Sequence, residues 1–351
     1  MAEYISFQPS DFFSPKLYTG NSSSAEIPVT GVGFQPDFVW AKNRDATYDH
    51  FLFDSVRGAT KYWRSNDTAV EATNAQTLKS FDSDGYTMGT DSDVNQSTSG
   101  FASWSWKMGT TSGIAGSPST TPEGYSFSAT AGQSIIYYIG TSVAGGGPIA
   151  TLPHGLTKAP EFIIVKNLTQ GARDTATYHV AIGNTKRTYL NQAAAPNVTS
   201  TAWNDTTPGA TVFTVGANEA VNELSKYLVA YCFTSIKGYS KFGGYTGNGN
   251  ADGTFVYTGF RPAYFLLRRT DIGNDWVIMG NKINPFNLAD TRLRPNSNAA
   301  ESTSSIKSLD ILSNGVKIRT SDAEFNASGG IYAYAAFAEF PIVSSNDVPT
   351  V

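Results

Sequence analysis

The sequence predicts an all-β protein built from three tandem β-sandwich repeat domains, jelly-roll-like in type, behind a short N-terminal arm. Aromatic residues are 13% of the 351 residues and charged residues only 15%, against about 25% charged in ordinary globular proteins. Short runs of strand-like composition alternate with turns rich in Gly, Pro, Asn and Asp. One ordered set of motifs also occurs three times, which is typical of a repeat architecture.

Composition argues against several other classes of protein. The aromatic content is too high for intrinsic disorder, and no apolar run approaches the roughly 18 residues of a membrane helix, so membrane insertion is not expected. The net charge is −4 and no basic run of five or more residues occurs, so nucleic acid is not an expected partner. No signal peptide is expected, because the N-terminal residues have neither a basic region nor an apolar one, and the single Cys232 cannot form an internal disulfide. These features predict synthesis in a reducing cytoplasm.

Each copy of the repeat contains the same three motifs in the same order. They are a Tyr-containing step with a following Gly, an apolar strand introduced by a proline, and an aromatic closing strand. The first copy has them at 18–21, 33–43 and 100–107, the second at 138–140, 159–167 and 227–233, and the third at 245–249, 259–267 and 331–338. The middle copy has diverged most, because it lacks the Asp-Gly or Asn-Gly turn of the other two.

These motifs divide the chain into seven segments. The predicted segments are an arm at 1–17, repeat 1 at 18–107, a Ser/Thr/Gly/Pro linker at 108–133, repeat 2 at 134–235, a linker at 236–244, repeat 3 at 245–341 and a tail at 342–351. Residues 125–128 are predicted to add a strand before repeat 2.

Three further local predictions follow from residue type. The apolar, β-branched run 161–165 suits a strand that is buried on both faces. Asp84-Gly85 and Asn314-Gly315 predict tight hairpins, because primed turns need positive φ. Residues 217–223 predict a single helical turn.

The motif set resembles the repeat domains of virion structural proteins from marine and freshwater tailed phages, cyanophages especially. The resemblance rests on Tyr-Thr-Gly-Asn, Gly-Phe-x-Pro-x-Phe-Val-x-x-Lys-Asn, Phe-Asp-Ser-Asp-Gly-Tyr and Tyr-x-Ala-x-x-Phe, and it extends from about Phe7 to Pro341. Such proteins are described as tail fibre-like. The resemblance implies a location in the virion and no catalytic residues. It implies as partners other virion proteins, further copies of the chain (a homotrimer by analogy), and a glycan or protein of the host surface.

Two groups of residues are candidates for contacts with partners. Trp203 lies in a segment rich in Thr, Asn and Asp, so it is the tryptophan predicted to make a surface contact. Four other tryptophans lie in predicted strands and are expected in the core: Trp40, Trp104, Trp106 and Trp276. Trp63 aligns near Leu293 and is expected in the core as well. Phe7, Phe12 and Phe13 make the arm too aromatic for an idle tail, so they are predicted to form a docking arm.

Metal and catalytic chemistry find little support in the sequence. His50, His154 and His179 have no metal-ligand spacing, and Cys232 is expected to be a buried free thiol. The aspartates of 82–95 suggest calcium, but a hairpin turn explains the first pair better, since repeat 3 has Leu312 to Gly315 at the same place. No pair of carboxylates stands out for glycoside hydrolysis. We therefore expect no enzyme, no cofactor and no metal.

The function predicted from the sequence is that of a tail fibre-like or adhesive virion protein with a docking arm and host-facing loops. Two alternatives remain open at this point: a head decoration protein, and a carbohydrate-binding or glycan-hydrolysing protein.

Overall fold

Antiparallel sheets dominate the structure, a computed structural model that describes residues 7–21, 25–143 and 146–340. Strands make up 41% and helices 6%, so the predicted all-β class is confirmed. Each helix within these ranges is a single turn, and none has the length and apolar content needed to cross a membrane. The sheets fall into three groups along the chain, which we call units 1, 2 and 3.

Unit 1 has two sheets that enclose a core of their own. It follows a 3-10 turn at Pro9–Asp11 and contains β1 (Phe13–Thr19), β2 (Ile27–Val29), β3 (Phe38–Asn43), β4 (His50–Asp54), β5 (Lys61–Arg64), β6 (Ala72–Thr73), β7 (Leu78–Asp82), β8 (Gly85–Met88), α1 (Ser92–Asn95) and β9 (Gly100–Trp106). The large sheet has the order β1-β9-β3-β4-β5-β6 and the small one β2-β8-β7. Val39, Phe53 and Tyr86 pack together between them.

Unit 2 has the same plan with a longer large sheet. It contains β10 (Gly124–Ser128), β11 (Gln133–Ile139), β12 (Ala150–Pro153), β13 (Phe162–Asn167), β14 (Ala176–His179), β15 (Lys186–Tyr189), β16 (Asn197–Val198), α2 (Ser200–Trp203), β17 (Val212–Val215), α3 (Glu219–Asn222) and β18 (Tyr227–Phe233). The large sheet runs β10-β11-β18-β13-β14-β15-β16, and β12 pairs with β17 in the small one. Where unit 1 has the β7–β8 hairpin, unit 2 has α2 and the single strand β17.

Unit 3 repeats the arrangement of unit 1. It contains β19 (Ser240–Thr246), β20 (Phe255–Tyr257), β21 (Pro262–Arg269), β22 (Val277–Met279), β23 (Thr291–Arg292), β24 (Ser302–Thr303), β25 (Leu309–Leu312), β26 (Gly315–Ile318), α4 (Ala323–Asn326) and β27 (Ile331–Ala338). The large sheet runs β19-β27-β21-β22 and the small one β20-β26-β25, with β23-β24 as a further pair.

The large sheets of all three units meet in one shared core. In β3 the side chains alternate: Phe38 and Trp40 enter the shared core, whereas Val39 and Ala41 face the small sheet of unit 1. A strand has a side-chain period of two, so a sheet with apolar residues at every position can bury both of its faces. All six residues of β13 are buried, which confirms the prediction for 162–165, whereas Glu161 precedes the strand and is half-buried.

The shared core has approximate threefold symmetry. Equivalent strands place Phe38, Phe162 and Tyr264 around its centre, and closing strands contribute Trp106, Phe233 and Phe337. The narrow void between these rings holds about 10 Å³, which leaves no room for a ligand. Every pair of units is in aromatic contact here, for example Phe233 with Phe337 at 5.6 Å between ring centroids. The three units therefore form a closed ring around one core and are not independent domains joined only by linkers.

Polar contacts also join each pair of units around this ring. The Glu71 amide of unit 1 donates to the Leu168 carbonyl of unit 2 at 2.9 Å. The Glu301 amide of unit 3 donates to the Arg44 carbonyl of unit 1 at 2.7 Å, and these two side chains form a salt bridge. Unit 2 and unit 3 meet through Arg268, which donates to backbone carbonyls of β15 and the segment after it. Each unit thus touches both of the others.

The repeated Tyr-x-Gly motif holds a single-turn helix in place, and we call this arrangement the clamp. The hydroxyls of Tyr18, Tyr138 and Tyr245 donate to the carbonyls of Val94, Val221 and Phe325, at 3.0, 2.6 and 2.8 Å. The glycine two residues later must approach the helix end closely. A Cβ at Gly20, Gly140 or Gly247 would lie 1.9, 2.1 or 2.3 Å from a backbone oxygen. Only glycine fits such an approach.

A buried asparagine completes this clamp in every unit. Asn95, Asn222 and Asn326 end the three helical turns and are fully buried. Each side-chain oxygen accepts a backbone N–H from the residue after the clamp glycine, at 2.8 to 2.9 Å. The pattern Asp/Asn-x-x-apolar-Asn in 91–95, 218–222 and 322–326 thus has one structural cause, and the predicted helical turn at 217–223 is confirmed as α3.

Several predicted boundaries need correction. Strand β1 begins inside the predicted arm 1–17, β10 lies inside the predicted linker 108–133, and β19 begins inside the predicted linker 236–244. The strand expected at 125–128 is confirmed. In each case the partner strand lies outside the predicted segment: β1 pairs with β9 and β19 with β27, 81 to 97 residues away, and β10 pairs with β11, most of which lies in repeat 2. Local composition therefore hides these strands. The predicted tail 342–351 lies outside the described residues.

The two predicted hairpins form, but for a different reason. The tight loops consist of Ser83-Asp84 and Ser313-Asn314, because Asp82 pairs with Gly85 and Leu312 with Gly315. No primed turn with two positive φ values occurs at these loops. The glycines are needed because a Cβ at Gly85 would lie 2.0 Å from the Val29 oxygen of the neighbouring strand, and a Cβ at Gly315 would lie 2.2 Å from the Val256 oxygen.

Candidate functional site

Trp203 does not lie on the surface, so its predicted role as a surface contact is wrong. Its exposed fraction is 1%, and its ring packs edge-on against Tyr178 in the core of unit 2. The single turn α2 explains this: Thr199 caps its start, and Asn204 ends it in the left-handed conformation. Both polar ends face outward, and the tryptophan between them turns inward. The polar composition that suggested a loop therefore describes the ends of a short amphipathic turn.

The described part of the predicted docking arm packs inside the protein. Phe13 is fully buried and stacks on Phe337 of unit 3 at 5.4 Å. Phe7 contacts Phe12 at 4.8 Å and Tyr239 at 5.4 Å. Phe13 is therefore part of the shared core and not of a free arm, whereas Phe7 and Phe12 pack against that core and remain half-buried. Residues 1–6 of the predicted arm lie outside the described residues.

A groove of about 300 Å³ opens on the surface of unit 2. It lies between the loop before β14, strand β15 and the starts of α2 and α3. Its walls combine charged and hydroxyl side chains with small apolar ones: Ala172, Arg173, Asp174, Arg187, Tyr189, Thr201, Ala217, Asn218, Glu219 and Ala220. Trp203 anchors α2, which supplies Thr201 to this groove.

Most charges in the groove are held by neighbours within unit 2. Arg173 forms salt bridges with Glu219 and Glu223, both at 3.0 Å. Arg187 stacks over the ring of Tyr189 at 4.7 Å and also donates to its hydroxyl. Burial raises the pKa of Tyr189, which keeps the phenol neutral. The Nε of Arg187 is buried and has no hydrogen-bond partner in the described part of the chain.

A hydrogen-bonded Asp–Asn pair occurs in each unit and shows which residues of the three units are equivalent near the groove. The asparagine Nδ2 donates to the aspartate Oδ1 at 2.7, 2.8 and 2.7 Å in the pairs Asn66 with Asp49, Asn191 with Asp174, and Asn296 with Asp275. The residue two positions before each asparagine is therefore equivalent. It is arginine in units 1 and 3, Arg64 and Arg294, but tyrosine in unit 2, Tyr189.

This exchange explains why the groove is open in unit 2. In unit 3, Arg294 forms salt bridges with Asp275 at 3.0 Å and with Glu324 at 3.1 Å. Glu324 lies two residues after its helix cap, and the equivalent residue of unit 2 is Ala220. Tyr189 and Ala220 thus replace an arginine–carboxylate pair, and both line the groove. Sequence reasoning missed these residues, although the 17-residue spacing from Asp49 to Asn66 and from Asp174 to Asn191 carried the signal.

Three buried cations occupy equivalent positions at the seams between units. Lys42, Lys166 and Arg268 are each at most 1% exposed. Burial lowers the pKa of Lys42 and of Lys166 to about 8, although nearby carboxylates act in the opposite direction. The terminal nitrogens of Arg268 donate to backbone carbonyls, including that of Tyr189 at 2.8 Å, whereas its Nε has no partner among the described residues. Lys166 donates to the Asp67 carbonyl of unit 1, whereas Lys42 donates to carbonyls of its own unit. None of the three cations lines the groove, so we assign them a structural role.

The histidines and the cysteine are parts of the core. Cys232 is fully buried in β18, which confirms the expected buried free thiol, and burial raises its pKa. Burial lowers the pKa of His154 and of His179 to about 4. His179 contacts the Tyr334 carbonyl through Nε2 at 3.0 Å, so it links units 2 and 3. All these groups are neutral near pH 7.

The aspartates that suggested calcium have structural partners of their own. Asp84 accepts the backbone N–H groups of Gly31 and Gly33 at 2.9 and 2.7 Å, which lowers its pKa. Asp91 caps α1, and Asp82 accepts from the Thr87 hydroxyl at 2.7 Å. Among the residues that the structure describes, no three acidic, histidine or cysteine side chains converge as they would around a metal ion.

Comparison with known proteins gives a family but no function. No curated protein and no solved structure matches the chain. A family model described as "Domain of unknown function (DUF7483)" matches residues 8–341 as one continuous domain. That match takes in β1 and all three units, as the shared core would require. The chain therefore belongs to the DUF7483 family.

Proposed function

We propose that the chain is a non-catalytic structural and adhesive component of a tailed-phage particle, tail fibre-like, built from three jelly-roll-like sandwich units. The resemblance of its repeat motifs to virion repeat domains supports the phage context. The observation that carries the mechanical part of the proposal is the shared core, in which aromatic side chains of all three units pack together. Fully burying one such side chain contributes about 1.5–3 kcal/mol, so the units cannot move independently at low cost.

A rigid frame of this kind suits attachment. Loops that project from it keep their relative positions, so a binding surface loses little conformational freedom when it meets a partner. The groove of unit 2 is the best-formed feature on that frame for contact with a ligand. Its carboxylates are engaged with neighbours, Asp174 with Asn191 and Glu219 with Arg173, which argues for binding and against hydrolysis.

Labelling of intact particles tests this proposal. An antibody raised against the purified chain should bind purified phage particles in negative-stain images, and mass spectrometry of the same particles should detect the chain. Label on the tail agrees with a tail fibre-like role, whereas label spread over the capsid would favour the alternative of a head decoration protein. Particles that carry neither label nor peptides of the chain would refute the proposal in both forms.

A further inference from the structure

The groove of unit 2 lacks the arginine–carboxylate contact that occupies the equivalent position in unit 3, and we call this contact the plug. Units 1 and 3 place an arginine at the equivalent position and hold it with carboxylates, as Arg294 is held by Asp275 and Glu324. Tyr189 and Ala220 take these places in unit 2 and leave a space of about 300 Å³. The three units share one fold plan, so this difference belongs to the side chains and not to the frame.

We propose that this groove binds a neutral sugar residue of a cell-surface polysaccharide. The class of ligand follows from the groove itself, while the cell-surface source rests on the proposed adhesive function. A space of this size lies at the lower end of the range for small-molecule sites, about 300–1,000 Å³, which suits one or two sugar rings.

The charges of the groove favour a neutral ligand with many hydroxyl groups. Its walls carry two cations, Arg173 and Arg187, and two anions, Asp174 and Glu219. An anionic ligand would meet the carboxylates and a cationic one the guanidinium groups. A sugar hydroxyl both donates and accepts, so it can use donors and acceptors that lie side by side.

Arg187 and Tyr189 provide the most specific contacts. The guanidinium stacks on the phenol ring, so each side chain restricts the other. Arg187 lines the groove, so its guanidinium can donate to a ligand there, whereas its Nε is enclosed by the protein. The Tyr189 hydroxyl accepts from Arg187, which leaves its own proton to donate to a ligand. Aromatic and planar cationic surfaces of this kind also pack well against the C–H faces of a sugar ring.

The test restores the plug. In the variant Tyr189→Arg with Ala220→Glu, the new pair should reproduce the Arg294–Glu324 contact and fill the groove. The wild-type chain, applied to an array of neutral and acidic bacterial surface oligosaccharides, should bind at least one neutral glycan. Calorimetric titration with that glycan should show binding weakened by about tenfold or more in the plugged variant, the loss expected when a hydrogen-bonded contact disappears.

Two further variants keep the result clear. Arg187→Gln removes the guanidinium and its stacking on Tyr189 without filling the groove, and it should weaken binding even if the plugged variant fails to fold. Lys241→Ala changes an exposed side chain on unit 3 and should leave binding unchanged. Circular dichroism melting of each variant checks that it is folded.

Three outcomes would overturn the inference: no glycan bound by the wild type, binding of acidic glycans only, or equal binding by the wild type and the Arg187→Gln variant. The result is distinguishable from that of the particle labelling. A labelled particle whose purified chain binds no glycan would refute the groove assignment alone. Glycan binding by a chain that is absent from particles would refute the virion function alone.

Discussion

Removal of the Tyr231 hydroxyl should weaken the seam between units 1 and 2. This hydroxyl donates to Asp54 Oδ2 at 2.6 Å and accepts from the Trp63 indole Nε1 at 3.0 Å. Asp54 in turn holds Arg57 at 2.6 Å, and both of these side chains are at most 1% exposed. Tyr231→Phe keeps the shape of the ring, so the effect of the variant reports on the hydrogen bonds.

The expected loss in the free energy of unfolding is about 3–5 kcal/mol. A hydrogen bond to a charged group contributes about 1.5–3 kcal/mol, and a buried donor left without a partner costs about 1–3 kcal/mol. Here the carboxylate of Asp54 loses a donor, and the indole N–H of Trp63 loses its acceptor. Because globular proteins are stable by only about 5–15 kcal/mol, this is a large fraction of the total.

Urea unfolding followed by tryptophan fluorescence and by far-ultraviolet circular dichroism measures this loss. Tyr264→Phe is the matched control, because Tyr264 lies in the same shared core and its hydroxyl has no hydrogen-bond partner among the described residues. We expect this control to change stability by less than about 0.5 kcal/mol. If both variants cost the same, the hydroxyl network does not hold the seam and our reasoning is refuted.

Three other predictions follow from the same structure. Gly247→Ala should destabilise the chain by about 3 kcal/mol in urea unfolding, because its Cβ would lie 2.3 Å from the Ala327 oxygen. Gly171→Ala is the control and should be nearly neutral, because the nearest atom lies 3.9 Å from its Cβ. Equal losses in the two variants would contradict the role of Gly247 in the clamp. Burial lowers the pKa of His154 and His179 to about 4, so the unfolded state binds more protons below pH 6.5 and stability falls between pH 6.5 and 4. Each of these two histidines should cost about 2 kcal/mol at pH 5 relative to pH 7, so the double variant to glutamine should reduce this dependence, while His50, whose pKa burial also lowers, keeps a part of it; an unchanged slope would contradict the prediction. Light scattering should give the 37.6 kDa of one chain, because the large sheets bury their apolar faces internally; a threefold larger mass would favour the homotrimer predicted from the virion context.

The sequence determined the local features of this protein. The low charge, the aromatic strands and the frequent turns were enough for the all-β class, and the burial of Trp40, Trp63, Trp104, Trp106 and Trp276 agrees with the prediction. The repeated Tyr-x-Gly step and the glycines of both hairpins were visible as motifs. Features of this kind depend on neighbours within a few residues, so composition and spacing report them.

Only the tertiary structure decided which surfaces face one another. The run 161–165 predicts burial on both faces. It does not indicate that Phe162 packs in the core shared with units 1 and 3, whereas Ile163 packs against the small sheet of its own unit. Trp203 shows a further limit of prediction from sequence, because its neighbours in the chain are polar although its own side chain is buried.

The candidate site illustrates the physical reason. The groove exists because Tyr189 and Ala220, 31 residues apart in the chain, together replace an arginine and a carboxylate that meet elsewhere in the same fold. Each exchange alone is an ordinary difference between repeats. A side chain that is absent leaves a space only where the frame around it cannot collapse, and that rigidity comes from long-range packing. The residues of the groove were therefore in the sequence, but their proximity was decided by the fold.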